Sequence, residues 1–202
     1  LLVPLLSLSQ FAEKKTYNIT KTTDKPKIDG VINEPIWKNI NVADNFTQFK
    51  PNNGLLERST HKTKVKICYD NQNLYFAATM YDIAPDSILK ELCKRDDDNK
   101  NNDRFTIVLD PFNNTQVEYN FTITASGVQI DKKMSKNGGD KSWNAVWRSA
   151  VDIFDKGWSA DIAIPLSQIR FPDLDKPWAL NMFRNIRRYR EEYSWNPIDV
   201  KF

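Results

Sequence analysis

Apolar and polar residues alternate along much of the chain with a period of two, the signature of strands buried on one face. From Thr63 to Tyr69, Lys64 and Lys66 interleave with Val65, Ile67 and Tyr69. Leu74 to Tyr81 is almost continuously apolar, and the polar Asp70-Asn71-Gln72-Asn73 between the two runs predicts a β-hairpin. Phe105 to Leu109 is a third strong run, and Glu118 to Thr124 alternates Tyr119, Phe121 and Ile123 with polar residues. Ser126-Gly127 then turns the chain into Val128 to Met134. Val146 to Phe154 and Trp158 to Ile164 flank Asp155-Lys156-Gly157 as a second hairpin. Trp178 to Tyr189 fits a strand, although Ala179, Met182, Phe183 and Ile186 also fit one helical face; it is read as a strand. Two short pieces read as helical. Asn33 to Trp37 has Asn33 as N-cap and Pro35 in the first turn, and Asp86 to Lys94 has Ile88, Leu89 and Leu92 on one side. Many short strands with aromatic inward faces predict an all-β fold, an antiparallel two-sheet β-sandwich with one or two short helices. Its expected core holds Val65, Ile67, Phe76, Phe105, Ile107, Leu109, Phe121, Ile123, Trp158, Ile162 and Ile164.

Composition narrows the chemistry. The 202 residues carry 29 basic and 26 acidic side chains, a net charge of +3, too small to imply a nucleic-acid partner. One histidine and two cysteines fall short of most zinc sites, and any Ser-His-Asp or Cys-His site would hang on His61, which lies among polar residues and is expected to be exposed and inert. No acid pair is singled out for glycoside hydrolysis, and no glycine-rich phosphate loop is present, so the domain itself is read as non-catalytic. The opening Leu1 to Leu6 is apolar and grades into small polar residues, as in the back half of a secretory signal peptide. Residues 1–12 are therefore read as a signal remnant and 13–202 as one folded domain of an exported protein. Export permits a Cys68–Cys93 disulfide, but their strand and helix settings favour two free thiols. Trp37, Trp158 and Trp178 sit in element patterns and are expected in the core.

Several segments, taken together, carry a resemblance. They are Ile28-Asp29-Gly30-Val31-Ile32-Asn33-Glu34-Pro35-Ile36-Trp37, the strand–turn–strand from Lys64 to Asp82, the run Asp103 to Asp110, the segment from Gly157 to Ile169, and the segment from Trp178. In this order and spacing they resemble carbohydrate-binding module family 9 domains over residues 24–195. Leu109 to Asn114, Ser142 to Trp147 and Arg184 to Pro197 look like the subgroup found N-terminal to a predicted outer-membrane β-barrel in Gram-negative envelope proteins.

The resemblance implies a sugar-binding β-sandwich located in the periplasm, outer membrane or extracellular space. Its partners would be an oligosaccharide or polysaccharide and a C-terminal barrel or catalytic domain, in the service of carbohydrate breakdown. The alternative is an interaction domain on the barrel, without a sugar site. Sugar-binding members clamp a terminal sugar between two Trp rings, because pyranose C–H faces pack on aromatic planes while hydroxyls need polar partners. Trp195 falls near one clamp position. The other falls at Lys100, a family acid falls at Thr106, and a family Arg falls near Thr122. Trp143 and Trp147 are the local candidates to replace the missing ring, with Arg184 and Arg187 as donors to hydroxyls or an acidic sugar's carboxylate. As one strand, Arg184, Arg188 and Arg190 would share a solvated face. Family members bind calcium, and Asp96, Asp98 and Asp103 are the candidate oxygen ligands.

Overall fold

A computed structural model describes residues 13–97, 101–140, 142–172 and 176–198. Thirteen strands follow in order: β1 (Thr20–Lys21), β2 (Val42–Ala43), β3 (Thr47–Lys50), β4 (Thr63–Tyr69), β5 (Asn73–Tyr81), β6 (Arg104–Asp110), β7 (Val117–Thr124), β8 (Gln129–Ser135), β9 (Gly138–Asp140), β10 (Arg148–Phe154), β11 (Gly157–Pro165), β12 (Ala179–Ile186) and β13 (Glu191–Ser194). One sheet runs β1-β4-β5-β11-β10, with β2 also paired to β4. The other runs β3-β13-β12-β6-β7-β8-β9. The expected two-sheet sandwich is the observed fold. All pairings are antiparallel except β1 on β4.

Both predicted hairpins form. Asp70 fastens the first: its Oδ1 accepts the Gln72 and Asn73 N–H groups at 2.7 Å each, replacing pairing the turn lacks. Gly157 closes the second at a φ of +142°, with the Met80 carbonyl oxygen 2.1 Å from where a Cβ would sit. Trp178–Tyr189 is a strand only to Ile186; Arg187–Tyr189 is a 3-10 turn that Arg190 ends in the left-handed region at φ 55°. The expected common face for Arg184, Arg188 and Arg190 is therefore not formed. The expected helix over 86–94 shrinks to a 3-10 turn, Pro85–Ser87. So short a helix is marginal alone, and the chain beyond it instead pairs outward: Lys90 bridges Asn102, and Asp103 N–H donates to the Leu89 carbonyl at 2.8 Å. The first expected helix is a 3-10 turn at Pro35–Asn39, with Glu34 rather than Asn33 at the N-cap position and no side-chain capping bond. No described helix is long and apolar enough to cross a membrane.

The two sheets meet over one core. Every core residue expected from the alternation is at most 3% exposed, and all belong to one contiguous cluster. Trp37 and Trp158 are buried as expected; Trp178 is half-buried against Phe171, ring centroids 5.2 Å apart. Cys68 is buried and Cys93 half-buried, both free thiols, and burial pushes the Cys68 thiol up to about 12, so it stays protonated and inert.

The outer face of the first sheet is roofed. Ile28, Ile32, Ile36, Trp37 and Ile40 lie on Cys68, Tyr75, Ala77 and Ala163. Gly30 pins this roof. Its N–H donates to Asp161 Oδ2 at 3.1 Å and its carbonyl accepts Ser159 Oγ at 2.6 Å, an approach so close that a Cβ would lie 2.5 Å from the Val151 carbonyl carbon. The resemblance motif Asp29-Gly30 thus has a packing role.

Candidate functional site

The seven-stranded sheet turns a different face outward. Register puts Phe183, Thr106, Thr122 and Ile130 in one row across β12, β6, β7 and β8, and Asn181, Val108, Asn120 and Lys132 in the next. Their opposites along each strand (Met182, Ile107, Phe121, Ile123) fill the core. The outward side chains other than Asn181, together with Arg104, line a depression of about 320 Å³, at the lower limit of small-molecule sites. Phe183 forms its aromatic wall, half-buried and braced edge-on by Phe49 at 5.8 Å. On the floor, the Thr106 and Thr122 hydroxyls bond each other at 2.8 Å. Asn120 Oδ1 is shielded from water and has no partner, and the same holds for Asn185 Oδ1 further along β12. A shielded carbonyl oxygen without a donor is costly, and Asn120 lines the depression.

The residues proposed from sequence lie elsewhere. Trp147 is buried under Phe121, centroids 5.5 Å apart, and its Nε1–H donates to Asp131 Oδ1 at 3.1 Å. Asp131 also accepts the Ala145 N–H at 2.7 Å and holds Arg95, so this loop is stapled inward. Trp143 is half-buried on Tyr119 and Phe121 at 5.3 and 5.7 Å. Trp195 is 4% exposed, covered by Tyr17 at 6.3 Å and by Lys15, whose ammonium lies 6.0 Å from the ring. It also lines a second depression of about 390 Å³, with Tyr17, Asn18, Asn41 and Asn45. Strand parity explains this: Ser194, not Trp195, pairs with Phe183. Neither Trp195 nor Trp147 offers an open ring face, and Trp143, Trp147 and Trp195 do not join Phe183.

Arg184 is a structural clasp, contrary to the expected solvated strand face. It is 1% exposed and bonds the His61 and Tyr81 carbonyls at 2.8 Å each, the Lys62 carbonyl at 3.2 Å and Thr63 Oγ1 at 3.3 Å. Burial pulls its guanidinium down to about 10, against the opposing pull of Asp103, Asp82 and Glu57, so it is cationic at neutral pH. Arg187 is exposed, with Nε on Asn101 Oδ1 at 2.6 Å. His61, expected at the surface, is 1% exposed beneath Tyr189 and close to Asp82 and Arg188. Burial lowers its pKa, so the ring is neutral.

Of the calcium candidates, two lie among the described residues. Asp103 is buried, its Oδ1 taken by the Arg187 N–H at 2.9 Å; Asp96 Oδ1 accepts the Asp131 N–H at 3.1 Å; Asp98 lies outside the described residues. Among the described residues no group of three acidic, histidine or cysteine side chains is placed to hold a metal.

Sequence reasoning missed Phe183, Phe49 and Asn120. The signal was available for Phe183: in the strand reading it falls opposite Met182 and Ile186 and so cannot be core. The family acid and Arg positions, Thr106 and Thr122, do fall on the floor of this depression.

Solved structures share the fold. A family 9 carbohydrate-binding module from Caldicellulosiruptor kristjanssonii, in complex with cellotriose, matches at TM-score 0.61 and 15% identity, covering 90% of this chain and 89% of that one. The glucose complex from the same organism gives 0.59 and 15%, over 89% and 88%. A proposed carbohydrate-binding protein from Bacteroides uniformis ATCC 8492 gives 0.70 and 12%, over 94% and 93%. No curated protein sequence matches the chain. The sequence pattern of the carbohydrate family 9 binding domain-like family matches residues 28–190. It spans most of the 202 residues, and the chain belongs to that family.

Proposed function

We propose that this domain is a non-catalytic carbohydrate-binding module and that it takes its sugar on the outer face of the seven-stranded sheet, against Phe183. One observation carries the reading: the depression joins an aromatic wall to Asn120 Oδ1, a buried acceptor that lacks a donor. A pyranose C–H face packs on Phe183 while a hydroxyl donates to Asn120 and others bond the Thr106–Thr122 pair. The sugar complexes of the two structural relatives support the same class of ligand. We extend the reading to an exported, cell-envelope protein serving polysaccharide breakdown, on the apolar Leu1–Leu6 opening and the resemblance to envelope proteins with a β-barrel.

A single aromatic wall leaves the other sugar face in water. Dissociation constants should therefore fall in the high micromolar to millimolar range, about 4–6 kcal/mol. Calorimetric titration with mono- and oligosaccharides checks this. Phe183→Ala should bind at least about tenfold more weakly, roughly 1.4 kcal/mol, while remaining folded at the titration temperature. Absence of saturable binding by the wild type to any sugar contradicts the function. Equal binding by Phe183→Ala moves the site to the Trp195 edge, where Trp195→Ala would then abolish it.

A further inference from the structure

A sheet edge presents a row of unpaired N–H and C=O groups, and proteins blunt or cover such edges. Most edges of this domain are blunted. β1 and β2 are two residues each, and β9 is three, two of them glycine. β3 is covered by its own chain: Gln48 N–H donates to the Leu55 carbonyl at 2.7 Å, Glu57 N–H donates to the Phe46 carbonyl at 2.9 Å, and Thr47 bridges Leu56.

β10 is different. It is seven residues long, closes the first sheet and pairs with β11 alone. Among the described residues, no backbone group of Arg148–Phe154 bonds any other segment. Gln129 Nε2 reaches Ser149 Oγ at 2.8 Å, a side-chain contact that spends no ladder group. Alternate residues of an antiparallel strand turn their N–H and C=O away from the partner, so β10 offers a free ladder on its outer side. Each of its residues keeps some exposure.

The sequence of β10 says what fits there. In Arg148-Ser149-Ala150-Val151-Asp152 the cation and the anion are equally far from Ala150. A two-fold axis at Ala150 lays a second copy of the strand antiparallel to the first. It pairs residues of like parity, so outward groups meet outward groups. Arg148 then lies opposite Asp152 of the second copy, and Asp152 opposite its Arg148, close enough for two cross-strand ion pairs. Arg148 is exposed and Asp152 half-buried, and neither is ion-paired or hydrogen-bonded through its side chain among the described residues. The same axis sets Val146, 75% exposed, toward Phe154 of the second copy at either end.

We propose that β10 pairs with β10 of a second copy about a two-fold axis at Ala150, joining the two first sheets edge to edge in a homodimer. The proposal does not depend on the sugar reading. Pairing through one strand makes a small interface, so the dimer is weak and follows concentration.

Sedimentation velocity on the 202-residue chain tests it, from about 5 µM to about 500 µM. The expected result is a monomer–dimer equilibrium within that range. Arg148→Glu sets two carboxylates opposite each other at both ends of the ladder and should weaken the dimer at least about tenfold. Arg148→Glu/Asp152→Arg restores opposite charges and should return the dimer to within about threefold of wild type. Ala150→Cys places two thiols across the axis and should give a disulfide-linked dimer on air oxidation, whereas Lys156→Cys, far from the axis, should not. A monomer at every concentration overturns the proposal. Association that Arg148→Glu leaves unchanged, that the double substitution fails to restore, or that cross-links Lys156→Cys as readily as Ala150→Cys overturns the pairing through β10. The cross-linking comparison decides even if a charge variant folds poorly.

Discussion

Arg184→Met should destabilise the domain by about 3–5 kcal/mol, the cost of removing one member of a buried charged network. Met keeps most of the aliphatic volume but returns nothing to the His61, Lys62 and Tyr81 carbonyls, which Arg184 draws together from β5 and from the segment entering β4. The Lys62 carbonyl keeps the Tyr81 N–H at 2.8 Å, while a carbonyl left dry and unbonded costs about 1–3 kcal/mol. Asp103 and Asp82 lose a neighbouring cation at the same time. Arg184→Lys should recover less than half of the loss, because one ammonium cannot copy a planar fork that reaches carbonyls from two segments. Chemical denaturation of the three proteins checks this; a loss under about 1 kcal/mol for Arg184→Met contradicts the clasp.

Asp161 and Asp103 should add stability as pH falls from 8 to 5, Asp161 the more, while buried His61, its pKa lowered, acts against them below about 6.5. Burial, with help from Glu34 and Asp29, pushes the Asp161 carboxyl up to about 7, and burial pushes Asp103 up to about 6. Such a group holds its proton more tightly folded than unfolded. The stability it contributes is fully present below the unfolded value of about 4 and is lost as pH rises through 6 to 7. Asp82 acts in the opposite sense: burial raises it, but the Arg188 and Ala84 bonds outweigh burial and hold it below the usual range, so its contribution is lost only in stronger acid.

For Asp161, the gap from about 4 to about 7 corresponds to roughly 4 kcal/mol at most. Asp161→Asn keeps an oxygen for the Gly30 N–H and points an amide NH₂ where Asp161 Oδ1 has no partner. The variant should be more stable than wild type by roughly 2–4 kcal/mol at pH 8 and equal to it near pH 4. Melting curves from pH 4 to 8 check it; a variant no more stable than wild type at pH 8 contradicts the account.

The sandwich was legible because its core strands alternate cleanly and their turns carry Asp, Asn and Gly. What the sequence hid was partnership at long range. Arg184 reads as a solvated strand residue, and nothing local announces that carbonyls 103 to 123 residues earlier will surround it. His61 reads as exposed because its sequence neighbours are polar, while Tyr189, Asp82 and Arg188 arrive from other elements to bury it. The expected helix at 86–94 has a good apolar face, but Leu92 ends 78% exposed because the segment is spent on edge pairing instead.

One residue of parity decides which side of the sheet Trp195 meets. A resemblance locates Trp195 in sequence without saying which side of the sheet it meets, and β13 shifts register between Glu192 and Tyr193. Along a strand a single step exchanges core for solvent. The same alternation, applied to β12, puts Phe183 outward.

The central claim is that the outer face of β6, β7, β8 and β12 holds the sugar. The measurement that tests it most directly is a backbone amide chemical-shift titration of the labelled domain with the oligosaccharide that binds best. The account predicts shifts concentrated at Arg104, Thr106, Asn120, Thr122, Lys132 and Phe183, with the amides and indole N–H signals of Trp147 and Trp158 unmoved. Shifts concentrated instead at Tyr17, Asn41, Asn45 and Trp195, with the Phe183 row silent, would contradict it.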